Sequence, residues 1–295
     1  MKKTLLGVLA ALLLLAACGS SDSNADAGGS TSSSTPTARR IVSLSATATE
    51  MLFAIGAGKQ VVAVDDQSNY PPEAPKTDLS AYTPNIEAIA NHRPDLVVIA
   101  GDTKGLKAGL EKLRVRVLDQ PAAVTIADTY REMLELGDAT GHRDEAEAQN
   151  AAIKRGIADA VKNVKVRPKP LTYYYELDNT LYSVTSKTFI GSLFTLAGLQ
   201  NIADAADAGG QSGGYPQLSA EYLVQANPDL VFLADTKCCQ QNAATFAARP
   251  GFAGLGAVTA GRIIPLDDDI ASRWGPRVVD LLEAVVAAEA AVPVS

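Results

Sequence analysis

The chain has 295 residues, a formal net charge of −7 and 47% hydrophobic residues, which is enough apolar side chain for one large domain or two lobes. Its acidic balance, with no cluster of lysine and arginine, argues against nucleic-acid binding. Its three cysteines are too few for a disulfide framework. Apart from Cys18 they are the adjacent Cys238 and Cys239, for which the sequence indicates no role.

The amino terminus is typical of an export signal. Two lysines precede an apolar stretch, residues 5–17, that is too short to remain as a membrane span. The stretch leads into Leu-Ala-Ala-Cys at residues 15–18, which resembles a bacterial lipobox and implies lipidation of Cys18. We therefore expect a lipoprotein signal peptide over residues 1–18 and an exported protein, anchored to the cell membrane and facing the outside or the periplasm. An ordinary soluble export signal is the alternative.

The segment after the signal, residues 19–38, is mainly Gly, Ser, Thr, Ala and Asp and has no apolar period. Such a segment cannot bury a core, so it is predicted to be a flexible tether. Strands and helices then alternate through residues 39–122, which predicts an amino-terminal lobe. Its predicted strands are residues 41–45, 61–64, 96–100 and 115–118.

The segment 123–166 is predicted to be a single long helix that joins two lobes. Residues 125–164 contain no proline and are rich in Ala, Glu, Lys, Leu and Ile, which favour a helix. Glycines weaken this helix, and we expect a break near Thr140–His142. Because a helical connection is stiff, we expect the lobes to close only slightly on a ligand.

Residues 167–295 repeat the plan of the first lobe. Strands are predicted over residues 171–176 and 263–266, and helices over 189–197 and 276–291. The fold class is therefore α/β, with two similar lobes that are each a mostly parallel sheet flanked by helices.

One sixteen-residue phrase occurs twice, at residues 85–100 and 219–234. In both copies a short helix precedes a Pro-Asp-Leu-Val run, where the proline ends the helix and a buried strand follows. Two such units, one in each half of the chain, support two similar lobes.

Each copy of the phrase carries one glutamate, Glu87 or Glu221, in the first turn of its helix. Asn85 and Ser219 are the predicted caps, and carboxylates are favoured just after a cap. A matched pair of acids on matched lobes suits docking onto a two-fold partner. A purely structural role, in which each glutamate only stabilises the amino end of its own helix, explains the pair equally well.

Aromatic residues lie where predicted strands and helices open onto loops. Ligands of such sheets bind at the carboxyl ends of the strands, and tyrosine suits a large, flat, partly polar ligand. Tyrosines that precede proline, such as Tyr70 and Tyr215, are also common turn residues. The candidate ligand-binding residues are Tyr70, Tyr82, Tyr182, Tyr215, Arg273 and Trp274.

Four segments, residues 68–74, 80–87, 215–221 and 272–277, read SNYPPEA, SAYTPNIE, YPQLSAE and SRWGPR. In this order they resemble the vitamin B12-binding proteins of ABC importers. More broadly they resemble the helical-backbone, or class III, substrate-binding proteins for cobalamin, iron-siderophores and haem. The resemblance implies two α/β lobes, a rigid connecting helix and a shallow cleft between the lobes. It also implies that Glu87 and Glu221 dock on arginines of two permease subunits.

The same resemblance assigns the cleft residues one by one. Tyr70 matches a tyrosine of the B12 pattern, and Arg273 matches an arginine near the ligand. Tyr82 and Tyr215 stand where the pattern has tryptophans, and Tyr182 stands where it has phenylalanine. The three added hydroxyl groups imply a more polar cleft than the B12 pattern has.

Other classes of protein fit the sequence poorly. With only His92 and His142 present, a protein-ligated metal site is disfavoured. No Gly-x-Ser-x-Gly turn, phosphate loop or dinucleotide fingerprint indicates an enzyme, and neither a catalytic residue nor a cofactor is predicted. An anchored adhesion or scaffold module would explain the lipid anchor but not the paired glutamates.

The predicted function is that of a membrane-anchored, monomeric solute-binding protein of an ABC importer. It is expected to capture a cobalamin-like corrinoid between its lobes and to deliver it to the permease and ATPase complex. A ferric siderophore or haem is the alternative ligand within the same family. The corrinoid is preferred because the local motifs are most similar to the B12 pattern.

Overall fold

The computed structural model describes residues 36–294. The predictions for the signal peptide, for Cys18 and for most of the tether lie outside the described residues. The described part forms one compact unit that contains two parallel sheets.

The N-terminal sheet and its helices are β1 (Ile41–Leu44), α1 (Ala46–Ala54), β2 (Val61–Val64), α2 (Ile86–Asn91), β3 (Leu96–Ile99), α3 (Leu106–Lys112) and β4 (Arg116–Asp119). All pairings are parallel, in the order β2-β1-β3-β4. The central strands β1 and β3 are buried at every position, as expected where helices cover both faces of a sheet. The four predicted strands agree with the structure to within one residue.

Two helices follow, α4 (Ile126–Thr140) and α5 (Arg143–Val161). The C-terminal sheet and its helices are β5 (Thr172–Glu176), α6 (Phe189–Leu196), β6 (Gln200–Asn201), α7 (Ala220–Ala226), β7 (Leu230–Leu233), α8 (Ala243–Ala247), α9 (Gly256–Thr259), β8 (Ile263–Pro265), α10 (Asp268–Ala271) and α11 (Val278–Ala291). The order β6-β5-β7-β8 is again all parallel and repeats the order of the first sheet. The predicted α/β class with two similar halves is confirmed.

The single connecting helix was a wrong prediction, because the connection is a pair of helices that pack on each other. Gly141 ends α4 with a φ of +76°, a conformation that glycine adopts without a steric penalty. Gly137 allows α5 to fold back closely, since a Cβ there would lie 2.8 Å from the Cβ of Ala146. The predicted break near Thr140–His142 is therefore a reversal of direction. One helix of the pair contacts α1 and the other contacts α11.

The duplicated phrase forms the same helix–turn–strand unit in both sheets, α2–β3 and α7–β7. Both predicted caps are confirmed: the Asn85 side chain accepts the N–H of Ala88 at 3.0 Å, and Ser219 accepts the N–H of Tyr222 at 3.1 Å. Each helix is followed by a residue of positive φ just before its proline, which turns the chain toward the strand.

The aspartate of each Pro-Asp pair holds the start of the neighbouring central strand. Asp95 accepts the backbone N–H groups of Arg39 and Arg40 at 2.9 and 3.0 Å. Asp229 accepts the N–H and the hydroxyl of Thr172 at 2.8 and 2.9 Å. The repeated sequence therefore encodes a repeated hydrogen-bonding device as well as a repeated topology.

Apolar packing joins the two halves into one body. A single core cluster includes Met51 of α1, Ile153 of α5, Phe194 of α6 and Val285 of α11. Burial of such side chains is the main driving force for association of the sheets and helices. Among the helices of residues 36–294, none has the length and apolar character needed to cross a bilayer.

Candidate functional site

A cavity of about 360 Å³ lies at the carboxyl ends of β1, β2 and β3. One wall is formed by the N-terminal sheet, from the residues that follow its strands and from the amino end of α1. The other wall is formed by Asp269 of α10 and by Ser272, Arg273 and Trp274, which follow α10 on the way to α11. A ligand is expected at this edge of a parallel sheet, because the loops that follow the strands converge there.

At the floor of the cavity lies Asp65, which follows β2 and belongs to a buried polar network behind the lining. Asp65 is 4% exposed and accepts a hydrogen bond from the Ser68 hydroxyl at 2.5 Å. The Ser68 hydroxyl also contacts that of Thr49, which donates to Ser43 at 2.9 Å. Burial raises the pKa of Asp65 above its ordinary value. Asp65 is the first residue after the predicted strand 61–64. Its position at the carboxyl end of a strand is the sequence signal that could have indicated it.

Arg273 joins the two walls of the cavity and is itself 9% exposed. Its guanidinium donates to Glu50 of α1 at 2.8 Å, to the carbonyl oxygen of Gln67 and the side chain of Asn69 at 2.9 Å, and to Asp269 at 2.8 Å. Because Glu50, Gln67 and Asn69 belong to the N-terminal half and Arg273 to the C-terminal half, the observed role of Arg273 is to hold the two halves together.

Glu50 also accepts hydrogen bonds from a second arginine, Arg277. From the sequence, Glu50 was not predicted to pair with Arg273 or Arg277. Arg277 donates to its two oxygens at 2.9 and 2.5 Å. Glu50 is almost fully buried, and α1 carries no other charge. A lone acid in a largely apolar helix was the signal, because a buried carboxylate requires charged or hydrogen-bonding partners.

Trp274 lines the cavity and is oriented by α4. Its indole N–H donates to Glu132 at 2.7 Å, and its carbonyl oxygen accepts the Thr129 hydroxyl at 2.9 Å. Burial raises the pKa of Glu132 to about 7, against the opposing effects of the indole hydrogen bond and of Arg131.

The structure brings together three of the six predicted ligand-binding residues, Tyr82, Arg273 and Trp274, in the lining of this cavity. Tyr82 is 74% exposed, so most of its ring is free for contact. Tyr70 lies outside the lining, with the Arg277 guanidinium 4.1 Å from its ring centroid.

Tyr182 and Tyr215 lie on the C-terminal half, outside the lining of the cavity. They are neighbours there, because the N–H of Ser183 donates to the carbonyl oxygen of Pro216 at 2.9 Å. Both side chains are partly exposed. Their part in ligand binding, like that of the other four residues, stays a prediction.

Glu87 and Glu221 occupy matching places in the first turns of α2 and α7. Both are exposed, and neither forms an ion pair with any residue between 36 and 294. Their caps are Asn85 and Ser219, so the two helix ends do not depend on the glutamates for capping.

Cys238 and Cys239 are free thiols in the loop between β7 and α8. Their sulfur atoms are 2.7 Å apart, and Asp268 accepts the backbone N–H of Cys238 at 2.9 Å. The loop lies beside α10 and not in the lining of the cavity.

The comparisons with known proteins agree with this architecture. The family model described as "Periplasmic binding protein" matches residues 41–270. The lipoprotein YvrC of Bacillus subtilis, named as an uncharacterized ABC transporter substrate-binding lipoprotein, is 26% identical over 254 residues, covering 83% of this chain and 78% of its own length.

Two solved structures extend the comparison. The periplasmic vitamin B12-binding protein BtuF of Vibrio cholerae is 26% identical, with a TM-score of 0.71, and the match covers 85% of this chain and 96% of that one. The apo form of the periplasmic heme-binding protein RhuT from Roseiflexus sp. RS-1 is also 26% identical, with a TM-score of 0.74 over 85% of this chain and 99% of that one. The chain therefore belongs to the periplasmic binding protein family and is a substrate-binding protein of the kind that serves ABC importers.

Proposed function

We propose that this protein captures a cobalamin-like corrinoid between its two halves and delivers it to the permease and ATPase complex of an ABC importer. The observation that carries the proposal is the cavity at the carboxyl edge of the N-terminal sheet, where Tyr82 and Trp274 present aromatic surface beside polar groups. A large ligand with an apolar face and polar margins suits such a lining. The similarity to a vitamin B12-binding protein supports the choice of ligand.

The two exposed glutamates support the delivery step. Glu87 and Glu221 are equivalent in the repeated units, and each is free of ion pairs within residues 36–294. A pair of unneutralised acids on matching helices is suited to meet arginines on a two-fold permease. The proposal also includes two lobes, at residues 39–122 and 167–295, and a lipid anchor at Cys18.

Haem or a ferric siderophore is the second candidate ligand, favoured by the similarity to the heme-binding protein RhuT. A tyrosine can ligate haem iron, and Tyr82 is the exposed tyrosine of the cavity. The two candidates share the fold and the cavity and differ in the chemistry of the ligand.

Ligand titration tests the proposal directly. Trp274 is the only tryptophan, and it lines the cavity, so a coloured ligand that binds there should quench its fluorescence. We expect saturable quenching by cyanocobalamin with one ligand per chain. Saturable quenching by haemin or by a ferric siderophore in its place would transfer the assignment to the second candidate. Quenching by none of the three would refute capture of these ligands.

A further inference from the structure

The charges that line the cavity are unevenly balanced. The lining includes two carboxylates, Asp65 and Asp269, and a single cationic side chain, Arg273. Neither lysine nor histidine belongs to this lining. The charge that a ligand meets therefore depends on whether Arg273 is available to it.

Arg273 is already committed to the protein. One terminal nitrogen donates to Glu50, and the other donates to Gln67, Asn69 and Asp269. Asp269 is in turn neutralised, because it pairs with Lys237 at 2.7 Å as well as with Arg273. The positive charge of Arg273 is therefore already paired with two carboxylates, so little of it is left to offset the charge of an anionic ligand.

Among residues 36–294, Asp65 is the lining carboxylate that forms no ion pair, and the charge of Arg273 has only a minor influence on its pKa. The neutral Ser68 hydroxyl donates to one of its two oxygens. Because Asp65 is 4% exposed at the floor of the cavity, water screens its charge weakly. An anion placed above it would lose its own hydration and gain no counter-charge.

We infer that Asp65 is a specificity-determining residue, which makes the cleft reject anionic chelates and accept uncharged or cationic ligands that carry N–H or O–H donors. The inference deepens the proposed function and rests on it. Among the candidate ligands, haem carries two carboxylates and a ferric tris-catecholate carries several negative charges, whereas a corrinoid carries primary amides. An amide N–H can donate to Asp65, and the amide oxygen can accept an N–H from the amino end of α1 in the same cavity. The cleft therefore selects on the charge at the margin of the ligand.

The test compares ligands of different charge on the full-length chain at neutral pH. The probes are cyanocobalamin, a ferric tris-hydroxamate of the ferrioxamine class and haemin, each followed through Trp274 fluorescence. We expect cyanocobalamin or the hydroxamate to bind at least about tenfold more tightly than haemin. Haemin binding as tight as that of both other probes would overturn the inference and leave capture of a ligand intact. Binding of none of them would overturn both.

Two variants test whether Asp65 is the residue that sets the charge preference. Asp65→Asn should strengthen haemin binding about tenfold and weaken cyanocobalamin binding several-fold, because the charge is lost and the acceptor is altered. Asp66→Asn is the matched control: it removes the same charge one residue away, on an exposed side chain outside the lining, and should change neither affinity. Equal effects of the two variants would overturn the role of Asp65.

A measurement on the wild-type chain covers the case in which Asp65→Asn does not fold. Haemin and its dimethyl ester differ at the two carboxylates, which carry charge only in haemin, so the ester should bind the wild-type chain at least about tenfold more tightly than haemin. Equal affinities for haemin and its ester would contradict the inference.

Discussion

The two sheets have the same strand order, but their carboxyl edges carry different side chains. β1 pairs with β3 as β5 pairs with β7, so Leu44 and Glu176 occupy equivalent last positions of the central strands. Gly101 and Asp235 are equivalent too, each two residues beyond the end of the neighbouring strand. In the N-terminal sheet these positions line the open cavity, whereas in the C-terminal sheet they carry two buried acids.

The buried acids of the C-terminal sheet form a compact charge cluster. Both oxygens of Glu176 accept Arg249 nitrogens, at 2.7 and 2.6 Å. Asp235 is 0% exposed, and neither of its side-chain oxygens has a partner among the described residues. Burial, reinforced by the nearby charge of Glu176, raises the pKa of Asp235 to about 7. The comparison teaches that a shared topology sets where a site can lie, and the side chains at equivalent positions decide which edge becomes one.

Stability should depend most strongly on the carboxyl edge of the C-terminal sheet, which the buried acids make the closed edge. Arg249→Met leaves Glu176 without its counter-ion in the protein interior and should lower the free energy of unfolding by about 3–5 kcal/mol. Urea denaturation measures the loss. Arg143→Met is the control, since its ion pairs with Asp138 and Glu147 are exposed, and it should change the free energy of unfolding little. Similar losses in both variants would contradict a structural role for the C-terminal cluster.

The pH dependence of stability should carry the signature of Asp235. Its folded pKa of about 7 exceeds the value of about 3.9 in an unfolded chain, so the folded state binds more protons between these pH values. Stability should therefore fall as the pH rises from about 4 to about 7 and level off above. Asp235→Asn should reduce this fall, by at most about 4 kcal/mol. Part of the fall should persist in the variant, because the pKa of Glu132 is raised in the same direction. An unchanged slope would show that Asp235 is ionised throughout.

The carboxyl edge of the N-terminal sheet, the open edge, should contribute more to ligand affinity than the closed edge. Tyr82→Ala removes a ring from the lining of the cavity and should weaken cyanocobalamin binding by about 1–3 kcal/mol. Tyr182→Ala removes the same ring from the C-terminal half, outside the lining, and should cost less. Calorimetric titration measures both affinities. A greater loss for Tyr182 would place the ligand against the C-terminal half.

The docking glutamates test the symmetry between the halves. Glu87→Ala together with Glu221→Ala should leave the affinity for cyanocobalamin unchanged and reduce its uptake by cells about tenfold, since only the docking charges are lost. The single variants should share this reduction about equally, because the two glutamates are equivalent. Glu111→Ala, an exposed acid near the end of α3, is the control and should leave uptake normal. Normal uptake in the double variant would refute the docking role.

Much of the fold could be predicted because its signals are local. The strands of the N-terminal sheet follow from short apolar runs, and the two repeated units follow from a cap, a helix and a proline within sixteen residues. The connection between the lobes was predicted wrongly as a single helix. Its break was visible as glycine in a helical pattern, but the packing of α5 back onto α4 depends on the contact of Gly137 with Ala146, which the pattern does not encode.

The site was predicted less completely than the fold. Tyr82, Arg273 and Trp274 were found, and they line one cavity. Glu50 and Asp65 were missed, because their importance arises from partners that are distant in sequence or from the shape of the cavity.

Propensity, capping and proline act over a few residues, so the amino-acid sequence was enough to predict the repeated helix–proline–strand units and the two parallel sheets. The open carboxyl edge, and the contacts of Arg273 and Arg277 with Glu50 more than 200 positions away in the chain, became visible only in the folded protein. Burial and charge pairing are properties of the folded surroundings, and no local pattern specifies them.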